Sequence, residues 1–313
     1  MQPTMISKHA PAKLNLNLHI TGKCDNGYHM LESLVVFADI ADIMTFSSNP
    51  PDERYQHCYA YEDIALTLHV NSMMDVDDAF AKRNLIYLAA KCLAAYSAKH
   101  HTGALCPMHI TLEKHIPIGA GLGGGSSDAA ATLVALNELW QMQLSTTQLQ
   151  KLAATLGSDI AVCIQPTATW MSGTGNQLAA ADIRAELWAL ILYPHTPLSS
   201  SRVYQALDYD EQTMQPLPEF GRLHCYDAES LIRYVQATDN HLTSPAIGQV
   251  HDIANILAAL NALPGCKLAR MSGSGSACFG LFMSEAEARG AAQMIGHQMP
   301  AWWQAIAPLI INR

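Results

Sequence analysis

The chain has 313 residues, 50% of them apolar and 14% charged, which is the composition of a globular protein with a large core and one or two domains. Its formal net charge is −9 and it has no run rich in lysine and arginine, so nucleic acid is not an expected partner, although a few local groups could hold an anionic ligand. Because the sequence shows neither a secretory signal nor an apolar run near the ~20 residues of a membrane span, we expect a cytoplasmic protein without a membrane partner.

The cysteines form no metal-binding or redox motif. They lie at positions 24, 58, 92, 106, 163, 225, 266 and 278, and no two of them make a C-x-x-C pair. This spacing supports neither a zinc ribbon nor a redox dithiol. We therefore expect reduced and mostly buried thiols.

The first predicted element is a strand from Lys13 to Ile20. Apolar and polar side chains alternate strictly along it, which predicts a half-buried strand. The Asn-Gly step in "CDNGYH" then predicts a turn. A lysine on the polar face of a strand is usually solvated, but Asn15 and Asn17 share that face with Lys13 and favour a polar wall over a free surface.

The later elements follow without a regular strand–helix rhythm. Strands are expected in "ESLVVFADIADIMTF", "IALTLHV", "MHITLEK" and "ELWALILYP" and within the glycine-rich stretch 271–282. Helices are expected near 84–96, 127–140, 146–156 (ended by Gly157), 228–237 and 249–262 and at the end of the chain, and the polar stretch 49–63 is expected to be a loop. The irregular order favours an α+β fold over a doubly wound sheet, with a domain boundary near residue 183.

The most informative segment is "IPIGAGLGGGSSDAAATL", from Ile116 to Leu133. Ser126, Ser127 and Asp128 are typical N-cap and first-turn residues of the helix that follows. A glycine loop that ends on a helix start leaves backbone N–H groups and the positive end of the helix dipole open to an anion such as phosphate. The alternative is a hinge, but a hinge needs neither the dense glycine run nor the capping pair.

Two common nucleotide motifs do not describe this loop. No Gly-Lys-Ser/Thr follows it, so it is not a Walker A loop. The string "GAGLGG" has the spacing of a dinucleotide fingerprint, but the loop runs on into "GSSD", and no acidic residue about 20 positions later ends a second strand.

The segment resembles the ATP loop of the superfamily of galactokinase, homoserine kinase, mevalonate kinase and phosphomevalonate kinase. The stretches "APAKLNLNLHITG", "GYHMLESLVVFADIAD", "LGSDIAVCI" and "MSGSGSACFG" stand in the order expected for one family within it, the kinases of 4-diphosphocytidyl-2-C-methyl-D-erythritol. The part specific to that family is "PAKLNLNL" followed by "D-x-GYH". The resemblance covers most of the chain.

This resemblance implies a two-domain α+β fold. Residues 1–183 would be an ATP-binding and catalytic domain that is ribosomal-protein-S5-domain-2-like, and residues 184–313 a ferredoxin-like domain on the substrate side. The implied reaction uses ATP with Mg²⁺ and phosphorylates the 2-hydroxyl of the cytidine diphosphate-linked methylerythritol. No protein ligand of the magnesium is assigned, because the "KHH" at 99–101 is more typical of a solvated helix end than of a metal site.

The resemblance also implies roles for individual residues. Asp159 would be the general base, although residue chemistry alone equally allows it to cap a short helix. Lys13 would pair with Asp159 and Asn15 would bind substrate. Asn84 and Lys114 would lie near the adenosine, although both could be surface residues. The ATP cradle would consist of Pro117, Ile118, Gly119, Ala120, Gly121, Leu122, Gly123, Gly124, Gly125, Ser126 and Ser127.

For the cytosine, the resemblance points to Tyr28 and His29, with Tyr204 as the opposing ring. The alternative is a Tyr-His pair buried at a hairpin end. The sequence departs from the family pattern at Ala161, where proline is expected, and at Asn176, where glutamate is common; the 49–63 loop is also unusual in composition. Two other functions stay open: a kinase of another alcohol, such as homoserine or mevalonate, and an inactive nucleotide-binding regulator.

Overall fold

The structure, a computed structural model, describes residues 5–25, 27–51, 55–72, 84–100, 105–210, 214, 216–217 and 227–311. The chain forms two compact units. Unit 1 comprises Met1–Pro11, Ala41–Ile116 and Gly123–Gln165, and unit 2 comprises Ala12–Ile40, Pro117–Leu122 and Pro166–Arg313. Strands β1 (Met5–Asn15) and β3 (His29–Ser47) each have residues in both units. The boundary near residue 183 stays a prediction.

Unit 1 combines a sheet with a helical layer. Its further strands are β4 (His57–Tyr61), β5 (Leu66–Ser72) and β6 (Met108–Lys114). The end of β3 pairs antiparallel with β6, β6 pairs parallel with β5, and β5 pairs antiparallel with β4. Its helices are α1 (Leu85–His100), α2 (Gly124–Leu139), α3 (Thr146–Leu156) and α4 (Ser158–Cys163). Helix α1 lies between β5 and β6 in the chain, as a parallel strand pair requires.

The local sequence explains these elements. Met108, Ile110 and Leu112 alternate into the core along β6. Helix α3 begins at a capping box, in which Ser145 Oγ accepts from the Gln148 amide at 3.3 Å and Gln148 Oε1 accepts from the Ser145 amide at 2.9 Å.

Unit 2 is built on antiparallel strands. Besides its part of β3 it contains β2 (His19–Lys23), β7 (Thr169–Gly173), β8 (Gln177–Ala180), β9 (Trp188–Tyr193), β10 (Leu268–Met271), β11 (Cys278–Phe282) and β12 (Trp303–Ile310). The strand order is β10-β11-β9-β12-β3, with β2 and β7 also paired to β3. Its helices are α5 (Ser200–Gln205), α6 (Ala228–Gln236), α7 (Thr243–Ile247), α8 (Asp252–Asn261) and α9 (Glu285–Gln298). Helices α8 and α9 pack on this sheet.

The mixed α+β class expected from the sequence is confirmed, and helix α3 has the predicted bounds with Gly157 after its last residue. The expected strand over Lys13–Ile20 is wrong in detail, because residues 16–18 lie between β1 and β2 and the whole stretch Ala10–Leu18 is buried. Strand β4 lies inside the expected 49–63 loop, of which residues 52–54 lie outside the described residues.

Three further expectations need correction. Strand β12 follows the helix that was expected to be the last element. Of the seven cysteines in the described part of the chain only Cys163 and Cys278 are buried, so the thiols are free as expected but not mostly buried; Cys225 lies outside that part. The expected Asn-Gly turn includes Asn26, and the "KHH" stretch includes His101, which also lie outside it. Among the described residues, no helix is long and apolar enough to cross a membrane.

Candidate active site

The glycine segment, residues 117–127, leads into α2 through three glycines whose backbone is in the left-handed region. Gly119, Gly121 and Gly123 have φ of 71°, 80° and 66°, values at which a residue with a side chain is strained. Gly123 is the N-cap of α2, and in the described structure no side chain caps this helix. The amides of its first turn, Gly124 to Ser126, therefore have no acceptor within the helix. This is the geometry of an anion site.

The prediction that Ser126 and Ser127 cap α2 is wrong. The helix begins three residues earlier than expected, and the Ser127 amide donates to the Gly123 carbonyl at 2.8 Å. The Ser127 hydroxyl donates to the carbonyl of Pro11 at 2.6 Å. Because a serine cap would have occupied the first amides, the glycine cap leaves more of them available to a phosphate.

Within unit 2, residues 117–122 pack against the turn between β10 and β11. The Ala277 amide donates to the carbonyl of Ala120 at 2.9 Å, and the Ser272 hydroxyl donates to that of Gly121 at 3.2 Å. A Cβ added at Gly121 would lie 2.5 Å from the Gly275 carbonyl oxygen. The "MSGSGSACFG" stretch therefore supports the glycine segment directly.

Lys114 is not a surface residue but the centre of a buried ion cluster in unit 1. Its ammonium contacts a carboxylate oxygen of Asp42 and lies 2.8 Å from Asp128 Oδ2. Burial lowers the pKa of Lys114, but the carboxylates of Asp128 and Asp42 outweigh that effect and raise it. Burial raises the pKa of Asp128 to about 8, because Lys114 offsets it only in part and Asp42 adds repulsion.

Asn84 stands immediately before α1 and is also buried. Its Oδ1 accepts from the Ile86 amide at 2.8 Å, which caps the helix. Its buried Nδ2 has no hydrogen-bond partner among the described residues. A buried donor of this kind is normally satisfied, so Asn84 keeps a free donor suited to a ligand.

Asp159 lies in the first turn of α4 and is half-buried. The N-cap of that helix is Gly157, and in the described residues no side chain caps it. The alternative interpretation of Asp159 as the helix cap is therefore wrong.

Lys13, in unit 2, is only 3% exposed, and its amide donates to the Leu122 carbonyl at 2.7 Å. It is thus not a solvated strand lysine. Lys13 and Asp159 belong to different units, and their pairing stays a prediction.

Asn15 is buried beside the same glycine turn in unit 2. Its Nδ2 donates to Ser33 Oγ at 2.8 Å, while its buried Oδ1 has no hydrogen-bond partner among the described residues. A Cβ added at Gly273 would lie 3.2 Å from that Oδ1. Asn15 therefore presents an open acceptor next to a turn that only glycine fits well.

The structure brings two of the three expected cytosine residues together in unit 2. The His29 ring stacks on Tyr204 with centroids 5.5 Å apart, and Tyr209 meets it edge-on at 6.1 Å. His29 Nε2 is buried without a hydrogen-bond partner among the described residues, and burial, with Lys23 nearby, lowers the pKa of this imidazole. Tyr28 is instead 67% exposed. The alternative of a buried Tyr-His pair is wrong.

Sequence reasoning missed Asp42 and gave Asp128 only a first-turn role. A signal was present in "MHITLEK", since its alternation puts Lys114 on the same face as Met108, Ile110 and Leu112. A lysine on an apolar face requires carboxylate partners.

Comparison with known proteins agrees with these features. Residues 84–166 match the model of the GHMP kinases N terminal domain, and residues 228–301 match that of the GHMP kinases C terminal. A 4-diphosphocytidyl-2-C-methyl-D-erythritol kinase of Paramagnetospirillum magneticum is 38% identical over 98% of this chain and 99% of its own length. One from Cereibacter sphaeroides is 39% identical over 98% of this chain and 100% of its own.

Solved structures give the same result. A structure of 4-(cytidine 5'-diphospho)-2C-methyl-D-erythritol kinase superposes with a TM-score of 0.72 at 27% identity, covering 98% of this chain and 100% of that one. A homoserine kinase from Cytophaga hutchinsonii, at 16% identity and a TM-score of 0.67 over 98% of this chain and 95% of its own, shares the fold. The chain belongs to the 4-diphosphocytidyl-2-C-methyl-D-erythritol kinase family of the GHMP kinases.

Proposed function

We propose that this protein transfers the γ-phosphoryl group of ATP to the 2-hydroxyl of 4-diphosphocytidyl-2-C-methyl-D-erythritol, a step of the non-mevalonate route to isoprenoid precursors. The observation that supports it most is the start of α2, a glycine-lined helix N-terminus that no described side chain caps. It occurs in a chain that matches kinases of this name over 98% of its length. A cytoplasmic location is part of the same proposal.

The ATP phosphates would bind the amides of the glycine segment, 117–127. Backbone donors and the helix dipole stabilise phosphate charge there without any lysine from the loop itself. Asn84, with its open Nδ2, is the proposed contact of the adenine ring. Magnesium would arrive with the nucleotide and supply neutralising charge at the phosphates.

Asp159 is the proposed base, which accepts the proton of the acceptor hydroxyl as the oxygen attacks phosphorus. Lys13 is the proposed electrostatic partner of Asp159 and would screen charge near the reacting oxygen. At the other end of the acceptor, Asn15 Oδ1 can accept from a hydroxyl. The rings of His29 and Tyr204 are the proposed stacking partners of the cytosine. Tyr28, which directly precedes His29 in the chain, is the proposed third contact.

The test is ADP release from MgATP with one of three alcohols: 4-diphosphocytidyl-2-C-methyl-D-erythritol, homoserine or mevalonate. We expect turnover only with the first. Turnover with either of the others would reassign the acceptor within the superfamily. ATP binding without turnover of any alcohol would favour the alternative function, an inactive nucleotide-binding regulator.

A further inference from the structure

We propose that Asp42, Lys114 and Asp128 act as a clamp of positioning residues, which holds the glycine segment in the shape that binds ATP. The inference rests on the ATP-dependent function proposed above. All three residues belong to unit 1, and none of them is needed to touch ATP for the clamp to act.

The clamp contacts the chain on both sides of the glycine segment. Asp42 Oδ1 accepts from the backbone amides of His115 and Ile116 at 2.6 and 2.8 Å, directly before the glycine segment. Asp128 lies in α2, directly after the segment. The Lys114 ammonium bonds both carboxylates, so the clamp ties the two ends of the segment to each other.

The two ends of the glycine segment also lie close together. A Cβ added at Gly124 would lie 3.0 Å from Ile116 Cγ2 and 3.1 Å from Lys114 Nζ. The start of α2 thus lies in close contact with the end of β6, and Gly124 permits this contact because it has no side chain. A change of length or charge in the clamp must move the helix start, and with it the amides available to phosphate.

The charged groups of the clamp are buried. Asp42, Lys114 and Asp128 are 0%, 7% and 3% exposed, so two carboxyl groups share one ammonium away from water. Asp128 Oδ1 has no hydrogen-bond partner among the described residues. Burial raises the pKa of Asp128 to about 8, which favours the protonated carboxyl at neutral pH, and in that form the clamp is electrically neutral.

The surroundings add little charge to this balance. Lys114 from β6 and Asp42 from β3 are the charged groups that act on Asp128. Helix α4 contributes the Cys163 thiol, 3.3 Å from Ser127 Oγ. The buried face of α1 is apolar except for Ser97. Above pH 8 the clamp therefore gains a negative charge beside the helix start, which opposes the binding of ATP.

The experiment measures the dissociation constant of MgATP by calorimetry, without acceptor, at pH 7 and pH 9. For the wild type we expect about tenfold weaker binding at pH 9, one unit above the pKa of Asp128. Asp128→Asn keeps the shape of the side chain without its charge, so it should bind as the wild type does at pH 7 and lose no affinity at pH 9. Asp128→Ala cuts the link to Lys114 and should weaken binding about tenfold at pH 7. The KM for the acceptor should not change in either variant.

The matched control is Asp252→Asn, which changes an exposed aspartate in the first turn of α8 and should bind MgATP like the wild type at both pH values. Equal affinities of the wild type and Asp128→Ala, or the same loss at pH 9 in the wild type and Asp128→Asn, would overturn the clamp. A wild type that never binds MgATP would instead refute the proposed function. Amide hydrogen exchange of 117–127 then decides the clamp: faster exchange in Asp128→Ala than in Asp128→Asn supports it, and equal exchange overturns it.

Discussion

His29 and Tyr204 are 175 residues apart in the chain, yet their rings stack in unit 2. The stack leaves His29 Nε2 buried without a hydrogen-bond partner among the described residues. Burial, with Lys23 nearby, lowers the pKa of its imidazole and so favours the neutral form. A neutral aromatic pair with one open nitrogen is suited to a pyrimidine base, which has both a flat face and a polar edge.

Replacing Tyr204 by alanine should raise the KM for the cytidylyl acceptor about tenfold, because base–aromatic stacking contributes ~1–3 kcal/mol per base. The KM for ATP should not change. Steady-state ADP release with each substrate varied in turn measures both constants. The matched control is Tyr96→Ala, which removes the tyrosine of another Tyr-His stack, with His100 in α1. An equal effect of the two substitutions would argue against a base-binding role for Tyr204.

The buried carboxyl group of Asp128 makes the free energy of unfolding depend on pH. Its pKa is about 8 in the folded protein and 3.8 as the ordinary value, so the folded state holds a proton that the unfolded state releases between these values. The free energy of unfolding therefore falls as the pH rises from 3.8 to 8.

Asp128→Asn removes this dependence. The melting temperature of the variant minus that of the wild type should increase from pH 5 to pH 8 and then level off. Thermal unfolding followed by circular dichroism at four pH values measures it. A constant difference across this range would show that Asp128 is ionised in the folded protein at neutral pH.

At the scale of elements, the glycine segment depends on close backbone approach. Gly121 has φ of 80° and lies against the Gly275 carbonyl, so a methyl group there must displace either the segment or the turn that supports it. For Gly290 in α9, an added Cβ would meet nothing within 4 Å among the described residues, apart from its own helix backbone and chain neighbours. Gly121 and Gly290 thus differ in whether an added methyl group would collide with neighbouring atoms.

Gly121→Ala should lower kcat/KM for ATP by tenfold or more, as an order of magnitude for a displaced phosphate site. Gly290→Ala should leave catalysis intact and stabilise the protein by ~0.5–1 kcal/mol, because alanine loses less entropy in a helix. Kinetics and thermal unfolding of both variants measure these effects. If Gly121→Ala kept the wild-type kcat/KM for ATP, the segment would not be held by the turn at Gly275.

The sequence predicted elements well where one physical signal dominates. Helix α3 is bounded by a capping box and by Gly157, and both ends were predicted correctly. The start of α2 was not, because Ser126 and Ser127 are good capping residues whose chain position alone does not show that Gly123 precedes them as the cap. Strand β4 was missed because "HCYAY" follows a polar stretch with two prolines, and its pairing with β5 is a tertiary contact.

For the site, motif resemblance proposed individual residues and roles that stay predictions, and it did not describe their surroundings. It gave Lys114 a place near adenosine, which stays a prediction, but it did not indicate the buried ion cluster with Asp42 and Asp128. The alternation in β6 predicts that this lysine is buried, but its two partners come from α2 and from the neighbouring strand β3, in which Asp42 is 72 residues away along the chain. Such a set is assembled only by the fold.

At the scale of the whole molecule, ATP binding and catalysis should be separable. MgATP at 100 times its dissociation constant should stabilise the folded protein by ~2.7 kcal/mol, which raises the melting temperature by several degrees. Asp159→Asn should show the same rise, since Asp159 is assigned to the acceptor hydroxyl and not to ATP. Differential scanning fluorimetry with and without MgATP measures both. A smaller rise in the variant would place Asp159 at the nucleotide.

The proposed reaction is tested by product analysis after incubation of the protein with MgATP and 4-diphosphocytidyl-2-C-methyl-D-erythritol. Mass spectrometry would show whether one phosphoryl group is added, and phosphorus NMR would show at which hydroxyl. We predict a single product phosphorylated at the 2-hydroxyl, with its rate lowered ~10²- to 10⁴-fold in Asp159→Asn, the range for loss of a general base. An unmodified acceptor, a phosphate at another hydroxyl, or an undiminished rate in the variant would contradict the account.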